Sequence, residues 1–589
     1  MNMKMNVRVF DLCVNSIQFF DHEGWENNYF PIGIDIIKIG SKALMVHLKF
    51  LVAKTCQNVY SSRLLIILIP IVLSAFTHLW NLEGFPGIYR DEDHYLRKTM
   101  HVLRGLGPQE GPSELVSFPV HPYTHPYFGQ LFLAGVLGIV GYPNSTHPTA
   151  DPSSIKELFF VPRILMGILA VADTFFLYRI TELRYNRTVA LIASILFAVM
   201  PITWMLRRVW LEPIQLPFIL SSILLALYSA NCNSRKSPAA LLVTSSGILL
   251  GLAIFTKIPV FTMIPLVGYV VYSATKNQKL LGLWFIPVLL IPSAWPLYAI
   301  SIGQFDQWID GVLWQSEREN SGLVNALGKL FAIDPLFMIL SLGGFIYAAL
   351  LKRRDILLLL WIVPFIVFNL LSGYVSYWHL VPLVPAFCIS SALLIAETSK
   401  IFRNQKIAKV VPYAIVGSVG LFGLVTTSML LTLNLTSFHY QVISVLVNQL
   451  QDSSTRRNED STSISNNLAG NGNNSERITV LGSNYWLWLP KYVFDNNQIN
   501  DYKNYYNDGD IRTKNNLFVV NENFIYEMTR DNNTERNIEG LRALYVNSSA
   551  LATIEEDKQM MPNRGNYPFS SLVDLDPKAA TKVEIRADH

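Results

Sequence analysis

The sequence predicts a mainly α-helical membrane protein, a bundle of about eleven spans with external juxtamembrane helices and a small C-terminal α/β domain. Three observations support this fold class. The 589 residues are 51% hydrophobic and only 15% charged, which is more apolar surface than a soluble core can bury. Long apolar runs alternate with short basic clusters. The composition then turns polar and Asn-rich from about Asn434.

The charge and the cysteines exclude two classes of function. The net charge of +4 is scattered in short clusters between apolar runs, so no nucleic-acid partner is expected. The four cysteines are far apart in the chain, and none lies in the polar C-terminal part. They provide neither a disulfide framework nor a cysteine metal site.

The N-terminal segment, residues 1–63, is expected to be cytoplasmic. It lacks the charged, apolar and small-residue progression of a cleavable signal peptide. Lys49, Lys54 and Arg63 form a basic flank before the first predicted span, Leu64–Trp80, and hold its start in the cytoplasm. This span therefore runs outward, and the first loop, residues 81–158, is external.

The next apolar run, Phe128–Tyr142, has only about 15 residues, whereas a helix needs roughly 20 to cross hydrocarbon. We interpret it as an interfacial or re-entrant helix. If it were counted as a span, the basic residues Arg179, Arg184 and Arg187 would lie outside, against the positive-inside rule.

Ten further spans then agree with that rule, because their cytoplasmic connections carry the lysines and arginines. They are Phe159–Leu177, Val189–Met205, Pro213–Ser229, Ala239–Phe255, Val260–Ser273, Leu280–Ile300, Pro335–Leu351, Ile356–Leu371, Leu380–Ile395 and Val410–Leu431. The total is odd, so the C-terminal part is also predicted to be external.

That part divides into an external linker, residues 432–476, and a small α/β domain, residues 477–589. Within the linker, Gln451–Glu476 lacks apolar periodicity and is expected to be disordered. Short strand or helix candidates follow, and Thr534–Tyr545 has a helical pattern. These candidates are Ile478–Leu481, Trp486–Phe494 and Leu517–Val520.

The most unusual stretch follows the first span, where Tyr89 to Tyr95 contain three carboxylates, an arginine and a histidine. Ionisable groups packed this closely beside a membrane repel one another and lose hydration. Such a cluster indicates a site for a substrate, a metal or a proton. The alternative is a solvated loop, which the position next to the membrane disfavours.

Arg207 and Arg208 are basic residues on the predicted external side. Cations held there against the positive-inside pattern usually have an anionic partner. The sequence offers Glu212, about one turn later, or a phosphate.

The chain resembles the dolichyl-phosphate-mannose–protein mannosyltransferases and their relatives in the GT-C class of membrane glycosyltransferases. Four motifs carry the resemblance in order along the first 212 residues. They are Asp91-Glu92-Asp93-His94-Tyr95, His125-Pro126-Tyr127-Phe128-Gly129-Gln130, Pro162-Arg163, and Arg207 with Glu212. Tyr127, Gln130 and Glu212 depart from the family's proline, lysine and aspartate. Lys257 is a candidate to replace the missing lysine.

The resemblance implies transfer of mannose or a similar hexose from a polyprenyl or dolichyl phosphate to an external protein or lipid acceptor, with inversion. Asp91 would be the base, with Glu92 as the second catalytic residue. Substrate-binding candidates are His94, Tyr95, His125, Arg163, Arg207, Glu212, Lys257 and His379. Neither a cofactor nor a metal is expected. The partners would be the lipid-linked donor, the acceptor and membrane lipids, with the active site and C-terminal domain outside the cell membrane.

Three alternatives remain open at this stage. Asp91-x-Asp93 also matches the short acidic pair by which nucleotide-sugar transferases bind a metal diphosphate. A transporter or flippase of lipid-linked sugars would have the same overall hydropathy. An inactive, receptor-like relative is the third possibility.

Overall fold

The computed structural model describes residues 66–108, 123–142, 149–230, 237–318, 322–351, 354–464, 479–482, 486, 488–489, 493, 499–501, 516–521, 545–555 and 582–588. The predicted cytoplasmic segment 1–63 lies outside these residues.

The first half of the bundle contains eight α-helices. They are α1 Ile66–Leu79, α2 Arg90–Leu103, α3 Phe128–Ile139, α4 Pro152–Arg184, α5 Arg187–Val199, α6 Leu211–Ser229, α7 Ser237–Thr256 and α8 Ile264–Thr275. Two 3-10 helices, Pro201–Arg207 and Ile258–Met263, follow α5 and α7.

The second half contains eight more. They are α9 Gln278–Ser301, α10 Phe305–Glu317, α11 Leu323–Ile333, α12 Pro335–Phe345, α13 Ile356–Leu371, α14 Val384–Glu397, α15 Gln405–Leu431 and α16 Ser437–Ile464. A π-helical turn, Ile346–Leu351, extends α12, and 3-10 turns Tyr377–Leu383 and Thr398–Ile401 flank α14.

Within the described residues, seven helices are long and apolar enough to cross a membrane, or up to nine if each bent pair counts as one span. Helices α1, α3 and α13 are apolar but shorter. Adding α1 and α13 and leaving out α3 gives the predicted eleven. That exact number stays a prediction, whereas the helical membrane bundle itself is confirmed.

One predicted span is not continuous. The run Val189–Met205 breaks at Pro201, where α5 and the following 3-10 helix meet at 67°. Proline has no N–H to donate and clashes with the preceding turn, so the helix ends before it. This bend carries Arg207 back toward the end of α1. Helices α11 and α12 are bent more strongly, by 119°.

The bundle is packed around α6 and α14. The span Tyr377–Ile401, which contains α14, is 83% buried along its apolar stretch, whereas α9 is 17% buried. Gly344 allows the close packing of α12 on α14, because a Cβ there would lie 2.1 Å from the carbonyl oxygen of Ser390. Helix α9 therefore lies at the periphery, where its apolar side chains face the lipid.

The small C-terminal domain contains a five-stranded sheet in the order β2-β1-β3-β5-β4. The strands are β1 Thr479–Gly482, β2 Ile499–Asp501, β3 Asn516–Asn521, β4 Ser548–Glu555 and β5 Lys582–Asp588. Strand β1 is parallel to β2 and β3, whereas β5 is antiparallel to β3 and β4. The predicted small α/β part thus contains a sheet, and two of the strand or helix candidates, Ile478–Leu481 and Leu517–Val520, form β1 and β3. The predicted helix Thr534–Tyr545 lies almost wholly outside the described residues.

The predicted disordered linker is wrong in its first part, because α16 continues to Ile464. The beginning of α16 packs Tyr440, Leu446 and Val447 into one core with Phe159 of α4 and Trp488 of the C-terminal domain. Once packing has anchored the start of a helix, each residue added to its end gains one further backbone hydrogen bond. Polar residues can therefore extend the helix.

Helix α4 supplies a test of topology, since its 33 residues place Thr149 and Arg187 at opposite ends. In a background without the four native cysteines, single cysteines at Thr149 and Arg187 are probed with an impermeant thiol reagent on intact cells. We expect labelling at position 149 only. Labelling at position 187 instead would reverse the orientation of the whole bundle.

Candidate functional site

The candidate site is built on α2, which follows the turn after α1. Tyr89 is the N-cap residue, and its backbone N–H donates to Oε2 of Glu92 at 3.1 Å. The acidic residues of the first turn lie where the helix dipole favours negative charge. Helical spacing places Asp91, Tyr95 and Lys98 on one side of α2 and Glu92 on another. Asp91 is partly exposed and Glu92 is fully buried.

Glu92 and Arg163 form a buried ion pair with no exposed side-chain surface. The guanidinium donates from Nε to Oε1 at 3.1 Å and from Nη2 to Oε2 at 2.8 Å. The backbone N–H of Val209 donates to Oε1 at 3.2 Å. Neither side chain is therefore placed to contact a substrate, contrary to the expected catalytic role of Glu92 and phosphate role of Arg163. Their contacts fix the start of α2 against α4.

Arg207 also differs from expectation. Its partners are neither Glu212 nor an open phosphate site but three backbone carbonyl oxygens at the end of α1 and in the turn that follows. They belong to Thr77 at 2.9 Å, Trp80 at 2.6 Å and Phe85 at 2.9 Å. The bend at Pro201 points the guanidinium to these carbonyls. Because Arg207 is fully buried, it stabilises the turn.

Arg208 lies in an aromatic box next to the same carboxylate. Its guanidinium carbon lies 5.0 Å from the ring centroid of Tyr89 and 5.2 Å from those of Trp204 and Trp210. Its Nη1 forms a 3.8 Å ion pair with Glu92. Such rings stabilise a desolvated cation through their negative faces. The sequence offered Glu212 or a phosphate as the anionic partner of Arg208, whereas the structure shows Glu92.

Glu212 and Lys257 form the second buried ion pair. The backbone around Lys257 is fixed by Gln215, whose side-chain amide donates to the carbonyl oxygens of Ala253 and Lys257 at 2.7 Å each. The partner of Glu212 is thus Lys257 and not Arg207. Lys257 lies near His125 in the second motif, and its role as a substitute for the missing lysine stays a prediction.

We call the region around His125, Lys98, Lys257 and Arg318 the cleft, and it is rich in positive charge. Burial lowers the pKa of His125 well below the usual range, and three nearby charges lower it further: those of Lys257, Lys98 and Arg318. The imidazole is therefore neutral at neutral pH. His379 lies near the same residues, Lys257, His125 and Arg318. The structure thus brings together two histidines that are far apart in sequence.

Tyr95 lies on the carboxylate side of this cleft. Burial raises the pKa of its hydroxyl, and the negative charges of Asp91 and Glu212 raise it further. The hydroxyl therefore stays protonated and can donate a hydrogen bond. His94 lies one residue earlier, with Nδ1 at 3.3 Å from Nη2 of Arg97.

Sequence reasoning missed Lys98, Arg318 and Tyr374. Lys98 is two helical turns after Asp91, and this i+7 spacing would have revealed it. Arg318 follows α10 and stacks on Tyr374, with 3.9 Å from the guanidinium carbon to the ring centroid. No local motif marks Arg318 or Tyr374, since their contact joins residues 56 positions apart.

Within the described residues, no group of three or more His, Cys, Asp or Glu side chains is placed to hold a metal ion. Asp91 and Asp93 are two residues apart on α2, so they face different directions. Asp93 is only 6% exposed.

Comparisons with known proteins bear on the family and the fold of the chain. A family model described as dolichyl-phosphate-mannose-protein mannosyltransferase matches residues 155–296, a segment that contains Arg163, Arg207, Glu212 and Lys257. No curated protein sequence matches the chain.

One solved structure of low sequence identity shares the fold, and a second aligns less well. The apo oligosaccharyltransferase of Archaeoglobus fulgidus aligns with a TM-score of 0.50 and 13% identity, over 78% of this chain and 69% of that one. Apo ArnT from Cupriavidus metallidurans aligns with a TM-score of 0.49 and 10% identity, over 80% of this chain and 95% of that one. The GT-C fold class is confirmed. The family match confirms the predicted resemblance and the glycosyltransferase class.

The buried and the exposed ion pairs should differ in their effect on stability. Glu92→Gln leaves Arg163 buried without its counter-charge and should lower the free energy of unfolding by about 3–5 kcal/mol. Glu83→Gln is the matched control, because Glu83 pairs with Lys156 at the same 2.8 Å but with 43% of its side chain exposed. It should cost less than about 1 kcal/mol. Thermal unfolding in detergent measures both, and equal losses would contradict the buried-pair interpretation.

Proposed function

We propose that this protein transfers mannose or a similar hexose from a polyprenyl phosphate to an acceptor hydroxyl, with Asp91 as general base. The observation that carries the proposal is the cleft beside α2. There a partly exposed carboxylate, Asp91, shares one helix face with Tyr95 and Lys98, opposite His125 and Lys257. This transfer needs a base that lies close to several cations.

The reaction balances with these residues alone. Asp91 accepts the proton of the acceptor hydroxyl while the oxygen attacks the anomeric carbon. The bond from that carbon to the phosphate oxygen breaks on the opposite side, so the configuration inverts. The polyprenyl phosphate leaves as an anion, and the cations of the cleft stabilise it.

The charges of the cleft favour a lipid monophosphate over a nucleoside diphosphate. Lys257 is paired with Glu212, and Lys98 and Arg318 are two further cations near His125 that can contribute charge toward the phosphate. The neutral His125 can donate one hydrogen bond to it. Arg318 presents a planar guanidinium held by the ring of Tyr374, a geometry suited to two phosphate oxygens.

The acidic-pair alternative receives less support from the geometry. A metal diphosphate site needs Asp91 and Asp93 to converge on one ion. Their spacing on α2 directs them apart, and Asp93 is buried.

We propose that the cleft faces the outside of the cell membrane. Arg163, near the cleft, and Arg184 are separated by roughly 30 Å along α4, at 1.5 Å per residue. The basic residues Arg179, Arg184 and Arg187 therefore lie at the end away from the cleft, where the positive-inside rule places the cytoplasm. Residues 64–431 would form the transferase domain, and residues 477–589 an external domain whose α/β fold is separate from the chemistry.

Asp91→Asn tests the base. The amide keeps the size of the side chain and one acceptor oxygen but cannot accept the proton, so transfer should fall by about 10²–10⁴ while donor binding persists. The assay follows radiolabelled polyprenyl-phosphate mannose with membrane lipids and Ser/Thr-rich peptides as acceptors. Asp310→Asn, on exposed α10, is the control and should retain normal turnover. A normal rate for Asp91→Asn would remove Asp91 from the mechanism.

Arg318→Lys tests the donor phosphate site. Lysine keeps the charge but loses both the stacking on Tyr374 and the two-pronged contact, so the KM for the lipid donor should rise about tenfold. Arg403→Lys, on an exposed loop remote in sequence from every cleft residue, is the control. Transfer should also persist in excess chelator. Use of a nucleotide sugar, or a requirement for manganese or magnesium, would favour the acidic-pair alternative instead.

A further inference from the structure

The turn between α1 and α2 is held through its backbone. Every carbonyl oxygen from Leu82 to Gly87 accepts a hydrogen bond from another part of the chain. Arg163 donates to Leu82, Pro86 and Gly87, Arg207 donates to Phe85, Thr436 donates to Glu83, and the N–H of Leu435 donates to Gly84. The position of this turn is therefore fixed by its donors.

Two of these donors come from the short segment that joins the last span to the C-terminal domain. The hydroxyl of Thr436 donates to the carbonyl of Glu83, and the N–H of Leu435 donates to that of Gly84 at 2.8 Å. The approach is close, because a Cβ on Gly84 would lie 2.9 Å from the carbonyl oxygen of Leu433. The side chain of Asn81 donates to the same Leu433 carbonyl at 3.2 Å.

The turn leads directly into the candidate base. Tyr89 ends it, and its N–H donates to Glu92 at 3.1 Å. Asp91 is the second residue of α2. A shift of the turn therefore shifts the carboxylate of Asp91 relative to the cleft, while Lys257 and Arg318 are held by other elements. Misplacing a reacting group by about 1 Å can cost on the order of a hundredfold in rate.

On the basis of the proposed function, we propose that Thr436 is a positioning residue for the transfer reaction. Through it the segment leading into the C-terminal domain holds the turn that carries Asp91. The domain thus contributes to turnover without contacting the substrate. Thr436 is only 1% exposed. If its hydroxyl is removed, water therefore does not take over the hydrogen bond to Glu83.

Three variants of the full-length protein test this role. Thr436→Val keeps the shape and removes the donor, so kcat should fall about three- to tenfold with the KM for the lipid donor unchanged. Thr436→Ser keeps the hydroxyl and should restore kcat. Thr432→Val is the matched control, because the exposed Thr432 donates only to Met429 one turn earlier. Hydrogen exchange of the peptide spanning residues 80–95 should be faster in Thr436→Val only.

The outcomes separate this role from general destabilisation. If kcat of Thr436→Val equals that of Thr432→Val, the proposal is overturned. It is also overturned if kcat falls while exchange in residues 80–95 stays unchanged, because the loss then arises elsewhere. If the wild-type protein transfers no sugar from polyprenyl phosphate, the proposed function fails. In that case, hydrogen exchange of residues 80–95 tests the coupling of Thr436 to the turn by itself. Unchanged exchange in Thr436→Val overturns that coupling.

Discussion

The rest of the site depends on the buried ion pair of Glu92 with Arg163 and on the other contacts of the Glu92 carboxylate. This carboxylate accepts hydrogen bonds from Arg163, from the start of its own helix and from Val209, and it lies beside Arg208. These contacts join α2, α4 and the segment before α6 at one point. Because the charges are removed from water, loss of one partner leaves the others without compensation. The carboxylate therefore determines where α2 begins, and with it the position of Asp91.

This cluster contains more positive than negative charge. Arg163 and Arg208 pair with Glu92, Arg207 lies near Arg163, and the surplus positive charge contacts backbone carbonyls and aromatic faces. Carbonyl dipoles and ring quadrupoles stabilise a cation without cancelling its charge.

The cations of this chain thus have two separate roles. Those that the motifs marked most strongly, Arg163 and Arg207, hold the backbone. Those that face the cleft, Lys98 and Arg318, belong to no recognisable motif. This division separates the arginines that the motifs mark from the cations that lie near His125. The residues that fix the fold and those that face the ligand need not be the same.

The sequence by itself determined the membrane class, the change from the helical bundle to a C-terminal part with a small sheet, and the acidic cluster that follows the first span. Hydropathy, basic clusters and changes in composition are properties of short stretches, so no long-range contact is needed to recognise them. The same holds for Asp91, which the resemblance marked directly. The short length of the apolar run at α3 likewise predicted, without any long-range contact, that this helix does not cross the membrane.

Only the tertiary structure decided which charge pairs with which. Glu212 has Lys257 as its partner and not Arg207, which is nearer in sequence. The bend at Pro201 directs Arg207 toward the end of α1 instead. Arg318 meets Tyr374, and Thr436 meets Glu83, across separations of 56 and 353 residues. A pairing of this kind depends on how packed helices align their side chains, and no local pattern in the chain encodes that alignment.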